Sequence, residues 1–226
     1  MAPIQFGIVM TPCQPLDIIG PLDLLSSCTK EMLQSLSDAG VLATMGFPLE
    51  LGDHGIDIEF HHISDTLEPV TYIGNVKALP TTTCNTCPPL DFLLVGGPDP
   101  SWVLPTPLAE MVRDHVAAGK VLYTTCSGAI CVAQTRILDG KNATTNHGLV
   151  ELAKSLYPKV KWTNDLRWVV DRNIWTAGGA VAGMDMLAYW VMENYPVELG
   201  RFSHAGLDYE PRDVNGRPLF LSKYRA

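Results

Sequence analysis

Short unbroken apolar runs alternate along this chain with stretches of helical spacing. Ile4 to Met10 is a run of the first kind, closed by Thr11-Pro12, as suits a strand buried on both faces of a mostly parallel sheet. Leu16, Ile19, Leu22, Leu24 and Leu25 then carry a helical spacing that Gly20-Pro21 is expected to break, and Glu31 to Gly40 reads as a second, polar helix. Thr44 to Leu51 and Gly55 to Phe60 read as strands either side of the turn Gly52-Asp53-His54-Gly55. Pro69 to Leu79 mixes strand and loop, and Thr81 to Pro89 is loop by composition. Leu90 to Val95 is the clearest core strand, Leu108 to Ala118 an amphipathic helix ended by Gly119, and Val121 to Thr125 the next strand. A helix running from the residues after Cys126 to Leu138-Asp139-Gly140, another from Gly148 to Leu156, two short strands around Asp171-Arg172-Asn173 and a long helix from Met184 to Tyr195 complete the pattern. Arg201 to Ala226 is polar with scattered aromatics and reads as a covering arm.

The order strand, glycine turn, helix, strand, Cys turn, helix over residues 90–133 is a βαβ unit. Its parallel strands bring both turns to one edge of a sheet, so Gly97 and Cys126 become neighbours. Cys126 stands where a strand passes directly into a helix, and a helix N-terminus favours thiolate over thiol. Two readings stand side by side, a nucleophile and a packing residue, since free cysteine is commonly buried; Cys131, inside the expected helix, suits the second. Gly96 and Gly97 serve either a tight turn or a backbone that comes close to a ligand and aims an N–H at it. Asp17 serves either the start of its helix or, crowded by Leu16, Ile18 and Ile19, a carboxyl whose pKa rises until it carries protons. Asp23 suits the first role.

With 226 residues, 46% apolar and 18% charged, the chain reads as one α/β domain spanning residues 1–226. A net charge of −8 without a basic cluster speaks against a nucleic-acid partner. No apolar run reaches membrane-spanning length, and the first ten residues lack the positive region of a signal peptide. Six cysteines without a dense framework fit a reducing cytosol, so the expected location is cytoplasmic. Cys84-Asn85-Thr86-Cys87 opens no helix and has no second ligand pair, which argues against a thioredoxin-like or zinc role. His61-His62 are expected at the surface, and no metal site is expected. Small residues from Ala177 to Gly183 open a helix, but neither a lysine nor a phosphate-binding glycine spacing accompanies them.

Five segments in order carry a resemblance: Leu16-Asp17-Ile18-Ile19-Gly20-Pro21, Val95-Gly96-Gly97-Pro98, Thr125-Cys126-Ser127-Gly128-Ala129, Leu138 to Thr145, and Trp175 to Asp185. Together they resemble the DJ-1/PfpI superfamily of class I glutamine amidotransferase-like proteins, and within it the isonitrile hydratase branch, over roughly Ile4 to Glu193. The resemblance implies a flavodoxin-like three-layer α/β/α sandwich with a mostly parallel central sheet and a nucleophile elbow. It makes Cys126 the nucleophile and Asp17 the acid beside its sulfur, with backbone N–H groups near Gly97 and Ser127 stabilising an anion and Gly96, Thr125, Asn146 and His147 as further residues for the site's lining. It also implies a homodimer, a small-molecule substrate and no cofactor.

Two departures from that pattern matter. Ser127 follows the cysteine where many relatives carry His, so a Cys-His pair is not evident. The branch often reads Ala-Thr-Thr-His, whereas Ala143-Thr144-Thr145-Asn146-His147 shifts the imidazole by one place, either towards the site or to a surface helix cap. The specific expectation is a cysteine-dependent lyase or hydrolase that hydrates an isonitrile to an N-substituted formamide. The alternatives are a glyoxalase-like or secondary-metabolite tailoring reaction on the same thiol, and a non-catalytic redox sensor in which Cys126 is oxidised. Trp102, Trp162, Trp168 and Trp175 are candidates to line a pocket.

Overall fold

The computed structural model describes residues 2–219. Its strands are β1 (Ile4–Val9), β2 (Ile58–Ser64), β3 (Val70–Thr71), β4 (Lys77–Ala78), β5 (Thr82–Thr83), β6 (Phe92–Val95), β7 (Val121–Thr125), β8 (Asn142–Ala143), β9 (Lys161–Trp162), β10 (Trp168–Asp171) and β11 (Ile174–Ala177). Its helices are α1 (Leu16–Ser27), α2 (Lys30–Asp38), α3 (Val41–Thr44), α4 (Thr106–Ala117), α5 (Gly128–Ala133), α6 (Val150–Leu156), α7 (Ala180–Asn194) and α8 (Val197–Ala205). Seven strands form one sheet in the order β10-β11-β7-β6-β1-β2-β5, parallel except for the β10-β11 hairpin.

Alternation along each strand decides which helices pack on which face. Phe6 and Ile8 of β1, Leu94 of β6 and Tyr123 of β7 join Ile18, Leu24, Leu187 and Val191 of α1 and α7 in one core. Val9, Leu93, Val95 and Leu122 point the other way and pack with Leu108, Val112, Ile130 and Val150 of α4, α5 and α6. Helices therefore cover both faces of the sheet, the three-layer flavodoxin-like arrangement. Parallel strands then bring the turns after β1, β6, β7 and β11 to one edge.

Several elements differ from their sequence expectations for local reasons. Pro21 does not break α1 but lies inside it. The residue that loses a helical donor to Pro21 is Asp17, four positions back, and the Thr125 hydroxyl donates to the Asp17 carbonyl instead at 2.9 Å. Asp23 is accordingly an exposed mid-helix residue rather than a cap. Thr44 to Leu51 forms no strand: the chain folds back through α3 and a 3-10 turn (Leu49–His54) that bury Leu42 and Leu51 with Leu33 of α2. The paired strand continues through His61 and His62, and His61 is buried with its Nε2 2.6 Å from Gln5 Oε1, not at the surface.

Within the expected loop, Thr82–Thr83 pairs with the end of β2 as the edge strand. The helix after Cys126 stops at Ala133 and gives way to turns. The expected arm begins inside α8, and its residues 220–226 lie outside the described ones. Among the described residues no helix is long and apolar enough to cross a membrane.

Candidate active site

Cys126 adopts φ +54°, a conformation non-glycine residues rarely take and one that costs roughly 1–3 kcal/mol. Three neighbours hold it there. Thr145 Oγ1 donates to the Cys126 carbonyl at 2.9 Å and the Asn146 N–H does so at 3.3 Å, while the Ser127 hydroxyl anchors the far side of the elbow on the Pro98 carbonyl at 2.6 Å. The turn after β6 is drawn against the elbow so tightly that a Cβ on Gly97 would stand 2.5 Å from the Ser127 nitrogen and 3.0 Å from Cys126 Cβ. Contact, not a left-handed backbone, requires glycine there.

Asp17 approaches from α1. It is 1% exposed, and its Oδ2 accepts the Gly97 N–H at 3.2 Å. Gly97 thus touches both groups, its N–H on the carboxylate and its Cα against the cysteine. The expected anion-binding N–H at Gly97 is therefore already engaged by Asp17. Burial pushes the Asp17 carboxyl up to about 6 against the smaller opposing effect of the Gly97 N–H. Burial also pushes the Cys126 thiol up, and the nearby Asp17 charge pushes it further; the Asn146 amide and the Ser127 N–H and hydroxyl act the other way. Helix position alone does not deliver a thiolate here, because α5 has only six residues and desolvation prevails. A proton is contested between an unusually weak acid and an unusually weak thiol.

Asn146, not His147, makes the polar contact with the sulfur. Its Oδ1 accepts the Gly148 N–H at 3.0 Å, which turns the amide so that Nδ2 faces Cys126 Sγ at 3.6 Å. His147 faces elsewhere, its Nε2 3.2 Å from the Leu166 carbonyl and its ring against Gly178. Thr125 lies under the site, its hydroxyl on the Asp17 carbonyl and its methyl so close to Gly183 of α7 that a Cβ there would meet it at 2.3 Å. Gly96 accepts the Thr11 hydroxyl at its carbonyl (3.2 Å) and leaves room for Cys13, whose Sγ a Cβ would approach to 2.8 Å.

Nothing in the sequence pattern singles out Cys13, which lies in a motif-free loop after β1. The fold buries it beside Asp17 and Cys126, and that burial raises its thiol to about 12. Of the tryptophans, Trp168 and Trp175 lie tilted against Tyr189, and Trp162 is buried with its Nε1 donating to the Tyr157 carbonyl. Among the described residues no cluster of three or more His, Cys, Asp or Glu side chains could hold a metal ion.

Comparisons with known proteins agree with this architecture. The chain is 27% identical over 216 residues to an isonitrile hydratase of Pseudomonas putida, covering 92% of this chain and 79% of that protein. A crystal structure of a ThiJ/PfpI family protein from Pseudomonas syringae superposes with a TM-score of 0.71 at 22% identity, over 99% of this chain and 80% of that one. Drosophila melanogaster DJ-1beta gives 0.65 at 14% identity over 91% and 98% of the two chains, and a putative transcriptional regulator protein from Vibrio parahaemolyticus gives 0.70 at 15% over 91% and 100%. The DJ-1/PfpI family model matches residues 45–193, a span that holds Gly97, the Cys126 elbow and Asn146, with Asp17 lying before it. The chain belongs to the DJ-1/PfpI family.

Proposed function

We propose that this protein is a cysteine-dependent enzyme that hydrates an isonitrile to an N-substituted formamide. The observation that carries the reading is the buried Asp17 carboxyl, fixed by the Gly97 N–H next to an elbow cysteine that has no histidine partner among the described residues. An isonitrile carbon must gain both a nucleophile and a proton. A thiol and a carboxylate sharing one proton supply the two at one place.

In the resting site the proton sits on sulfur and Asp17 is a carboxylate above about pH 6. As the sulfur lone pair forms the C–S bond, Asp17 accepts the thiol proton and passes it to the same carbon, leaving a thioimidate. Water then adds across the C=N bond, its oxygen to carbon and one hydrogen to nitrogen by way of Asp17. Collapse breaks the C–S bond, the electron pair returns to sulfur, and the hydroxyl proton restores the thiol. The sum is isonitrile plus water giving formamide. The Asn146 amide, aimed at Sγ, stabilises the sulfur as it leaves.

The 27% identity to the Pseudomonas putida isonitrile hydratase supports the reading at the level of reaction class. A redox-sensing role draws less support, since a sensor cysteine needs a low thiol pKa and here burial and Asp17 both raise it. The test is to incubate purified protein with cyclohexyl isonitrile and measure N-cyclohexylformamide. Formation by the wild type, with loss of at least about 100-fold in Cys126→Ser and Asp17→Asn, is expected. Equal formation by both variants would sink the proposal, as would a wild type inert to a panel of alkyl and aryl isonitriles.

A further inference from the structure

Cys84 and Cys87 take no part in the site around Cys126, yet the fold pairs them. The Thr83 carbonyl accepts the Thr86 N–H at 3.1 Å and the Cys87 N–H at 2.9 Å, which closes residues 83–87 into one helical turn. The Thr86 hydroxyl pins that turn, accepting the Thr83 N–H and meeting the Thr82 and Thr83 hydroxyls at 2.9 and 3.0 Å. Residues three apart on such a turn share a face, with Cβ atoms about 5–6 Å apart. Both side chains are free thiols, partly buried, and packed on the same core cluster as Ile63 and Leu90.

Burial raises both thiols, Cys87 to about 11, and a charge on Cys84 is felt at Cys87, so the pair is no fast sensor and its state is set by slow equilibrium with the surrounding thiol–disulfide pool. A disulfide needs Cβ atoms about 3.5–4.5 Å apart, so closure requires a movement of about 1–2 Å. Asn85 and Thr86, between the cysteines, are exposed, so the movement displaces no buried side chain and has only to loosen the Thr86 bonds that pin the turn.

We propose that Cys84 and Cys87 form a reversible dithiol–disulfide site that exchanges with a low-molecular-weight disulfide of the glutathione type. In the exchange the Cys84 thiolate attacks one sulfur of the small disulfide, forming a mixed disulfide and releasing one small thiol. Cys87, having lost its proton to solvent, then attacks the Cys84 sulfur, forms the intramolecular bond and releases the second thiol. Two protein thiols are oxidised and one small disulfide is reduced to two thiols. The Cys84 N–H and thiol both rest on the Ser64 carbonyl, at 3.1 and 3.4 Å, so the bond would stiffen the point where edge strand β5 leaves β2. Cys126 is on the same edge of the sheet but four strand spacings away, about 19 Å, too far to resolve or be resolved by this pair.

The experiment equilibrates the whole protein with mixtures of glutathione and glutathione disulfide, alkylates the remaining thiols and maps the peptides by mass. The expected result is that Cys84 and Cys87 lose their labels together, in a peptide lighter by two hydrogens and restored by dithiothreitol. In Cys87→Ser, where no resolving thiol is present, Cys84 should carry glutathione. The proposal is overturned if both cysteines remain alkylatable in glutathione disulfide alone, if each carries its own glutathione, or if either bridges to another cysteine.

Discussion

At the scale of single residues, the cost of the site is concentrated on Asp17. Its carboxyl titrates near 4 in an unfolded chain and at about 6 in the folded one. Between those values the folded protein holds a proton that the unfolded chain has released, so stability falls as pH rises through the window. By pH 7 the burial opposes folding by up to about 3 kcal/mol. Asp17→Asn keeps the shape and removes the charge. Denaturation at pH 4 and pH 7 should therefore show the variant gaining on the wild type by about 1–3 kcal/mol between the two; a gap independent of pH contradicts the raised pKa. The same residue should give kcat/KM an acid limb near pH 6, with activity rising as the carboxylate forms. Asn146→Leu removes the donor at the sulfur, and alkylation of Cys126 by iodoacetamide at pH 8 should slow by about 10-fold. An unchanged rate would mean that the amide does not reach the thiolate. Gly97 and Cys126 were legible as neighbours because the strand pattern brings their turns to one edge of the sheet; Asp17 was legible as a crowded carboxyl, and only the family resemblance placed it beside the sulfur. Which of Asn146 and His147 faces the sulfur was not legible, because a one-residue shift decides it and only the fold sets that phase.

At the scale of elements, α1 and the elbow are joined by a bond that exists because of a proline. Pro21 has no N–H to give the Asp17 carbonyl, and Thr125 at the end of β7 fills the position. Thr125→Val keeps the volume but leaves a buried carbonyl unpaired, a loss of about 1–3 kcal/mol measurable by urea denaturation. If Thr125→Val is neutral, the link between α1 and the elbow carries no weight. Apolar runs revealed the core strands because burial on both faces leaves no charged position in β1, β6 or β7. Thr44 to Leu51 misled for the opposite reason: Leu42 and Leu51 meet the α2 side of the molecule through short helical turns, and segments of four to six residues are too short to display a helical period.

At the scale of the whole molecule, Asp185 ties distant pieces together. Fully buried in α7, it pairs with the Arg167 guanidinium and the Tyr209 hydroxyl and accepts the Arg212 N–H at 3.0 Å, so it joins the loop before β10 and the chain after α8 to one helix. Asp185→Ala would leave Arg167 without its partner and should cost about 3–5 kcal/mol in stability. Asp185 closes a segment that carries the family resemblance, but its partners, spread from 167 to 212, were not legible because no spacing rule links them. What the sequence did contain was the order of elements, which brings Gly97 and Cys126 together from the turns after β6 and β7, where the first turn of α1 adds Asp17. The joint action of thiol and carboxyl is the central claim, and trapping the covalent intermediate tests it most directly. Wild-type protein mixed with cyclohexyl isonitrile and quenched within a turnover should show one isonitrile added to Cys126 by intact mass and peptide mapping, and Asp17→Asn should show none. Formamide turnover with no adduct on Cys126, or an adduct formed equally fast in Asp17→Asn, would contradict the account.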